Sequence, residues 1–167
     1  MESGEITSEI RGLAGAACIE LMRAYGVEAA ATTEEWGPTN EPMLAGVMGF
    51  VSEQLVGSCL LAGSKEVLMA SAPNDARPRD WVGELANQLV GRLKSKLMGR
   101  GLTITLSTPV VLSAISLSPL PRTDTAPTVH QTPLGRLLVW VEVDASPDFD
   151  WGPPEDLPAA EGDLVVF

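Results

Sequence analysis

Residues 80–97 read "DWVGELANQLVGRLKSKL", and the placement of this run decides the fold. At 100° per residue Val82, Leu85, Ala86, Leu89, Leu93 and Leu97 fall in one broad arc, the pattern of a helix with a buried face. Asp80, Glu84, Asn87, Gly91 and Met98 fall in a narrow stripe roughly opposite, with Lys94 beside it. A glycine inside a helix costs roughly 1 kcal/mol against alanine, so Gly91 points to close approach by something outside the helix. Surface Glu and Asn are ordinarily just solvated, so the stripe alone does not make a site. Its chemistry is nonetheless specific. Glu84 can pair with a cation, and Asn87 can hold a water with its carbonyl and amide protons, although neither is a nucleophile. Orienting a water against an activated phosphoryl group is sufficient for sizeable catalysis.

On either side of this helix the sequence reads as strands. Residues 43–63, "MLAGVMGFVSEQLVGSCLLAG", predict a β-hairpin with Ser52, Glu53 and Gln54 at its tip. Those three residues also break an apolar run that could be mistaken for a membrane span. The uncharged stretch 101–121 is broken by Ser, Thr and three prolines. In it Leu102, Ile104 and Leu106 alternate with Thr103, Thr105 and Ser107, a strand pattern, and "RLLVWVEVD" predicts a last strand. Gly99 and Gly101 end the central helix. Residues 64–71 predict a short helix and 72–80 a loop. Residues 118–135, rich in Pro and Thr, predict a loop that leaves His130 solvated.

Near the N-terminus Ile6, Ile10, Leu13, Ala14, Ala17, Leu21 and Tyr25 keep a helical period over 6–25, with Thr7 or Ser8 as cap and Gly26 as stop. A short strand at 27–33 and a turn at "WGPTNEP" follow. Helix followed by strands thus occurs twice. Glu9 and Gly12 have the spacing of Glu84 and Asn87, which suggests an internal pseudo-repeat.

With 167 residues, 45% of them apolar, the chain can build one well-packed domain. A net charge of −11 argues strongly against nucleic acid and anionic membrane surfaces as partners. No signal-peptide pattern opens the sequence, so Cys18 and Cys59 are expected as reduced, buried thiols of a cytoplasmic protein. From Ser146 onward the chain carries six acids, four prolines and no base, and removing it would bring the net charge to −5. The expectation is a domain over 1–145 and a disordered acidic tail over 146–167.

Other motifs fail on spacing. "GSCLLAGSK" at 57–65 has its glycines one residue too far apart for a phosphate-binding loop, with Lys and Ser in the wrong order. The "DFD" at 148–150 is followed by only 17 residues, too few for an aspartate-nucleophile phosphatase. No G-x-S-x-G elbow occurs, and His130 has no cluster of ligands around it, so no metal site is assigned.

Asp80, Glu84 and Asn87, with Pro109 after 21 intervening residues, resemble the signature of the CheC/CheX chemotaxis phosphatase family. That signature is an acidic residue or Ser, three residues, Glu, two residues, Asn, and Pro some twenty-two residues on. "VGELANQLVG", with Gly83 and Gly91 in place, is similar to CheX in particular, and the likeness covers about residues 43–145. It implies an α+β fold with a long, largely antiparallel sheet covered by helices, and one active helix. It implies as substrate the phosphoaspartate of a CheY-like response regulator. Glu84 would form a salt bridge to a lysine of the regulator, and Asn87 would position the attacking water. Asp80, Gly91 and Lys94 would flank the contact, and Gly83 and Pro109 would shape the motif. The Mg²⁺ would belong to the regulator, with no cofactor on this chain, and a homodimer through sheet edges is compatible with the family. The alternative is a non-catalytic adaptor of the same fold, in which Phe149, Trp151 and the terminal "LVVF" dock a basic groove.

Overall fold

The computed structural model describes residues 3–36, 41–115 and 126–153. The run at 80–97 is indeed helical, within α3 (Pro78–Met98), which Pro78 opens at a position where its missing N–H costs nothing. The arc read from the sequence is buried, joined by Trp81, Gly83 and Val90. The hairpin forms as β2 (Met43–Val51) and β3 (Leu55–Gly63). At its tip the Ser52 hydroxyl accepts from the backbone N–H groups of Gln54 and Leu55, both at 3.1 Å. α1 (Ser3–Ala24), β1 (Ala30–Thr32) and the short α2 (Lys65–Met69), capped by Ser64, complete the first half. The second half adds β4 (Thr105–Leu106), β5 (Val110–Ala114), β6 (Thr128–Thr132) and β7 (Gly135–Ala145).

Among the described residues the seven strands form one sheet in the order β1-β6-β7-β3-β2, with β4 and β5 sharing the outer edge of β2. Every pairing among them is antiparallel. α1 crosses β7 and β6, and α3 crosses β2 and β3, on one face of the sheet. The main core lies between that face and the two helices.

The suspected pseudo-repeat is present in this architecture. Exchanging β1 with β4/β5, β2 with β6 and β3 with β7 reproduces the sheet order in reverse, about an axis at the Cys59–Val141 pair. The helices match at an offset of 75 residues: Ile6 and Trp81, Ile10 and Leu85, Ala14 and Leu89, Cys18 and Leu93, Met22 and Leu97 are all buried. Their ends match as well. Gly26 (φ 74°) and Gly101 (φ 80°) take left-handed backbone, Val27 N–H donates to Met22 O, and Leu102 N–H donates to Leu97 O. These are two copies of one helix stop.

Several expectations need correction. α1 begins at Ser3, so Thr7 is a buried helix residue and neither Thr7 nor Ser8 caps it. The first strand is only three residues long, and most of the turn expected after it lies outside the described residues. The alternation at 102–107 yields a strand only at Thr105–Leu106, because Leu102 closes the helix stop at Gly101. His130 is not in a solvated loop. It lies in β6 at 1% exposure, against Gly15 of α1. "TVHQT" has three β-branched residues in five, a strand composition obscured by the prolines on either side. Burial pushes the His130 pKa below its usual value, and pushes the Cys18 and Cys59 thiols up to about 12.

The stretch after Ala145 also differs from expectation. Ser146 N–H donates to Gln54 O at 2.7 Å, and Asp150 N–H donates to Gln54 Oε1 at 2.9 Å. Phe149 is 6% exposed in the main core and meets Trp151 edge-on at 5.1 Å. Residues 146–152 therefore pack on the domain. These two aromatics serve the core and are not a free docking segment. The rest of the acidic stretch, including "LVVF", lies outside the described residues.

Candidate functional site

Because α3 buries nearly every other face, Asp80, Glu84 and Asn87 are left exposed, and Gly91, Lys94 and Met98 half-exposed. A cleft of about 630 Å³ opens beside the first two turns, lined by Arg79, Asp80, Gly83, Glu84, Asn87, Pro109, Val110 and Val111. The far wall is the start of the edge strand β5. A Cβ on Gly83 would stand 3.4 Å from the Val111 side chain and 4.0 Å from the Pro109 ring. These are ordinary van der Waals distances, so Gly83 and Pro109 face each other across the cleft without packing demanding a glycine.

The structure thus brings together five of the seven residues singled out in the sequence: Asp80, Gly83, Glu84, Asn87 and Pro109. Gly91 and Lys94 lie further along the helix; Lys94 is about 10 Å beyond Asn87 at 1.5 Å per residue. A Cβ on Gly91 would meet nothing within 4 Å, so its surface is open to an approaching chain. Asp80 sits in the first turn, where a carboxylate also complements the helix dipole.

Sequence reading missed three residues. Arg79 lines the cleft and brings a cation to its mouth. Gln88 donates from Nε2 to Glu84 Oε1 at 2.7 Å and to the Tyr25 hydroxyl at 2.8 Å, while Tyr25 donates to Gln88 Oε1 at 3.0 Å. The four-residue step from Glu84 to Gln88 is legible as a helix-face pair. Tyr25, just past the end of α1, was legible only as the last member of that helix's apolar period, with no signal of a role at the site. Among the described residues no Lys or Arg pairs with Glu84.

A second cleft, of about 660 Å³, lies beside α1 in the other half but further along its helix, with Arg11, Gly12, Gly15, Thr128 and His130 in its lining. At the 75-residue offset the counterpart of Asn87 is Gly12, which lines this second cleft, and the counterpart of Glu84 is Glu9, which does not line it and whose Oε1 pairs with Arg100 at 2.8 Å. The first half thus lacks the carboxamide. Among the described residues no three His, Cys, Asp or Glu side chains gather as metal ligands, and no helix is long and apolar enough to cross a membrane.

An antiparallel sheet with two pseudo-equivalent helices, one of them presenting Glu and Asn one turn apart, defines the class of protein. Residues 44–127 match the family described as Chemotaxis phosphatase CheX, and the chain belongs to that family. No curated protein matches the chain. Its fold is that of chemotaxis protein CheX from Vibrio vulnificus (TM-score 0.68, 18% identity, 81% of this chain and 99% of that one). It is also that of CheX from Desulfovibrio desulfuricans (TM-score 0.64, 18% identity, 81% and 99%). The CheX-CheY-BeF3-Mg²⁺ complex from Borrelia burgdorferi matches with TM-score 0.56 and 11% identity over 79% of this chain and 96% of that one.

Proposed function

We propose that this chain hydrolyses the phosphoaspartate of a CheY-like response regulator. One observation carries the reading: in a chain of the CheX family, Glu84 and Asn87 stand side by side on the exposed stripe of an otherwise buried helix, at the mouth of an open cleft. Asn87 reaches into the regulator's site and holds a water through its carboxamide, in line with the phosphorus. The water oxygen bonds to phosphorus as the bond to the aspartate oxygen breaks, and the water's proton leaves with inorganic phosphate or solvent. The step needs orientation more than covalent help, which suits a residue with no basic or nucleophilic atom. Glu84 anchors the regulator by a salt bridge to a lysine, and the Mg²⁺ is held by the regulator. Val110, 56% exposed on the cleft wall, offers an apolar contact beside these polar ones.

The test is the loss of acyl phosphate from a panel of phosphorylated response regulators of the same organism, with Mg²⁺ present. Wild type should accelerate hydrolysis of at least one regulator. Asn87→Ala should abolish the acceleration while binding survives, and Glu84→Ala should weaken both. Undiminished hydrolysis by Asn87→Ala would refute the assignment. Binding without acceleration by wild type would leave an adaptor of the same fold.

A further inference from the structure

A glutamate that must meet a cation on another protein has three rotatable bonds, and fixing them on contact lowers affinity unless the side chain is already held. Glu84 is held. Since a carboxylate only accepts, the Gln88 amide must turn its Nε2 toward Glu84 Oε1, at 2.7 Å. Nε2 also donates to the Tyr25 hydroxyl, which in turn donates to Gln88 Oε1. Tyr25 is itself seated edge-on against Trp81 at 5.1 Å. The Trp81 indole donates to Ser71 Oγ at 3.0 Å, and Ser71 donates to Leu68 O at 2.9 Å. A continuous chain of contacts thus runs from the core to the exposed carboxylate.

The pseudo-repeat shows what is particular about this clamp. At the 75-residue offset Glu84 corresponds to Glu9 and Tyr25 to Arg100, each of the latter pair standing just before the glycine of its helix stop. In one half the carboxylate meets a guanidinium at 2.8 Å, so its charge is compensated within the chain. In the other half the same place holds neutral donors. We infer that Gln88 and Tyr25 are positioning residues that fix the Glu84 carboxylate while leaving its charge for the regulator's cation. This rests on the function proposed above.

Two measurements test it. In the protein alone, the Gln88 side-chain amide NMR signal should shift in both Glu84→Ala and Tyr25→Phe. An amide indifferent to both overturns the clamp, whatever the protein's activity. In steady-state hydrolysis of the phosphorylated regulator, Gln88→Met should raise KM about fivefold and leave kcat within about twofold, because Asn87 is untouched. Placed in Glu84→Ala, the same change should do nothing further, and an equal effect in both backgrounds overturns the role. Gln88→Lys makes a helix-stabilising Glu–Lys pair but discharges the carboxylate, so it should raise KM beyond Gln88→Met at undiminished stability. A wild-type KM in Gln88→Lys overturns the charge half of the inference. An intact clamp in a protein that accelerates no regulator refutes the phosphatase reading, and this role falls with it.

Discussion

Gly46 of β2 lies directly beneath α3, and replacing it with alanine probes how the sheet sets the height of the exposed stripe. A Cβ built there stands 2.6 Å from the Ala86 methyl and 2.9 Å from Val82 O. Bringing the methyl contact out to about 3.4 Å requires strand and helix to part by about 0.8 Å, at a point where both are buried. Overpacking of this kind costs about 1–3 kcal/mol. Urea denaturation of Gly46→Ala should show the unfolding free energy falling by that amount, as a lower midpoint at unchanged m-value. Ala86→Gly alone costs about 1 kcal/mol of helix propensity, yet in the Gly46→Ala background it removes the closer clash. The two changes should therefore be non-additive by about 1 kcal/mol or more, with Val82 O leaving part of the strain in place. Glu84 and Asn87 move together with α3, so their mutual geometry is preserved while their height over Pro109 and Val110 changes. KM for the regulator should rise more than kcat falls. A Gly46→Ala protein as stable as wild type, or strict additivity with Ala86→Gly, would refute this account of the helix–sheet contact.

Two further outcomes follow from the corrected parts of the fold. Phe149→Ala should destabilise the domain by about 3–5 kcal/mol in urea denaturation, since the ring is 6% exposed and leaves a cavity at the foot of the core. A loss under about 1 kcal/mol would return residues 146–152 to the tail. His130 is buried with its pKa lowered by desolvation, so as pH falls through about 6.5 the unfolded chain takes up a proton that the folded chain refuses. Stability is full above that range and declines below it. Between pH 7.5 and 5.5 wild type should lose more stability than His130→Gln, and equal losses would contradict the burial.

Legibility followed how strictly burial forces a pattern. α3, with one face in the core, shows its arc at every turn, and the hairpin announces itself through "SEQ" between two apolar runs. β6 was hidden because prolines flank it and because His130, one of its two large polar side chains, is buried in an apolar setting that composition does not reveal. The 146–152 segment was hidden for the opposite reason. Acids and prolines dominate its average, while the two aromatics that hold it down are single residues in a charged run. At the site, residues that share α3 were legible because a helix fixes their relation. Tyr25 was not, because the contact that brings it to Gln88 is made by α1 packing on α3.

The two halves are alike in sheet order, helix burial and helix stop, and the differences between them lie where the chemistry would be. Both halves carry a glutamate at the same place on the helix. In the first, Gly12 takes the position of the carboxamide and Arg100 compensates Glu9. In the second, Asn87 is present and neutral groups hold Glu84. The salt bridge is 41–49% exposed on its side chains, and such pairs contribute little to stability, about 0–1 kcal/mol. Arg100 is therefore better understood by what it does to the charge of Glu9 than by what it adds to the fold. One repeat closes its carboxylate inside the chain, and under the proposed function the other keeps its carboxylate for a partner. A single scaffold can thus present one docking helix although it contains two.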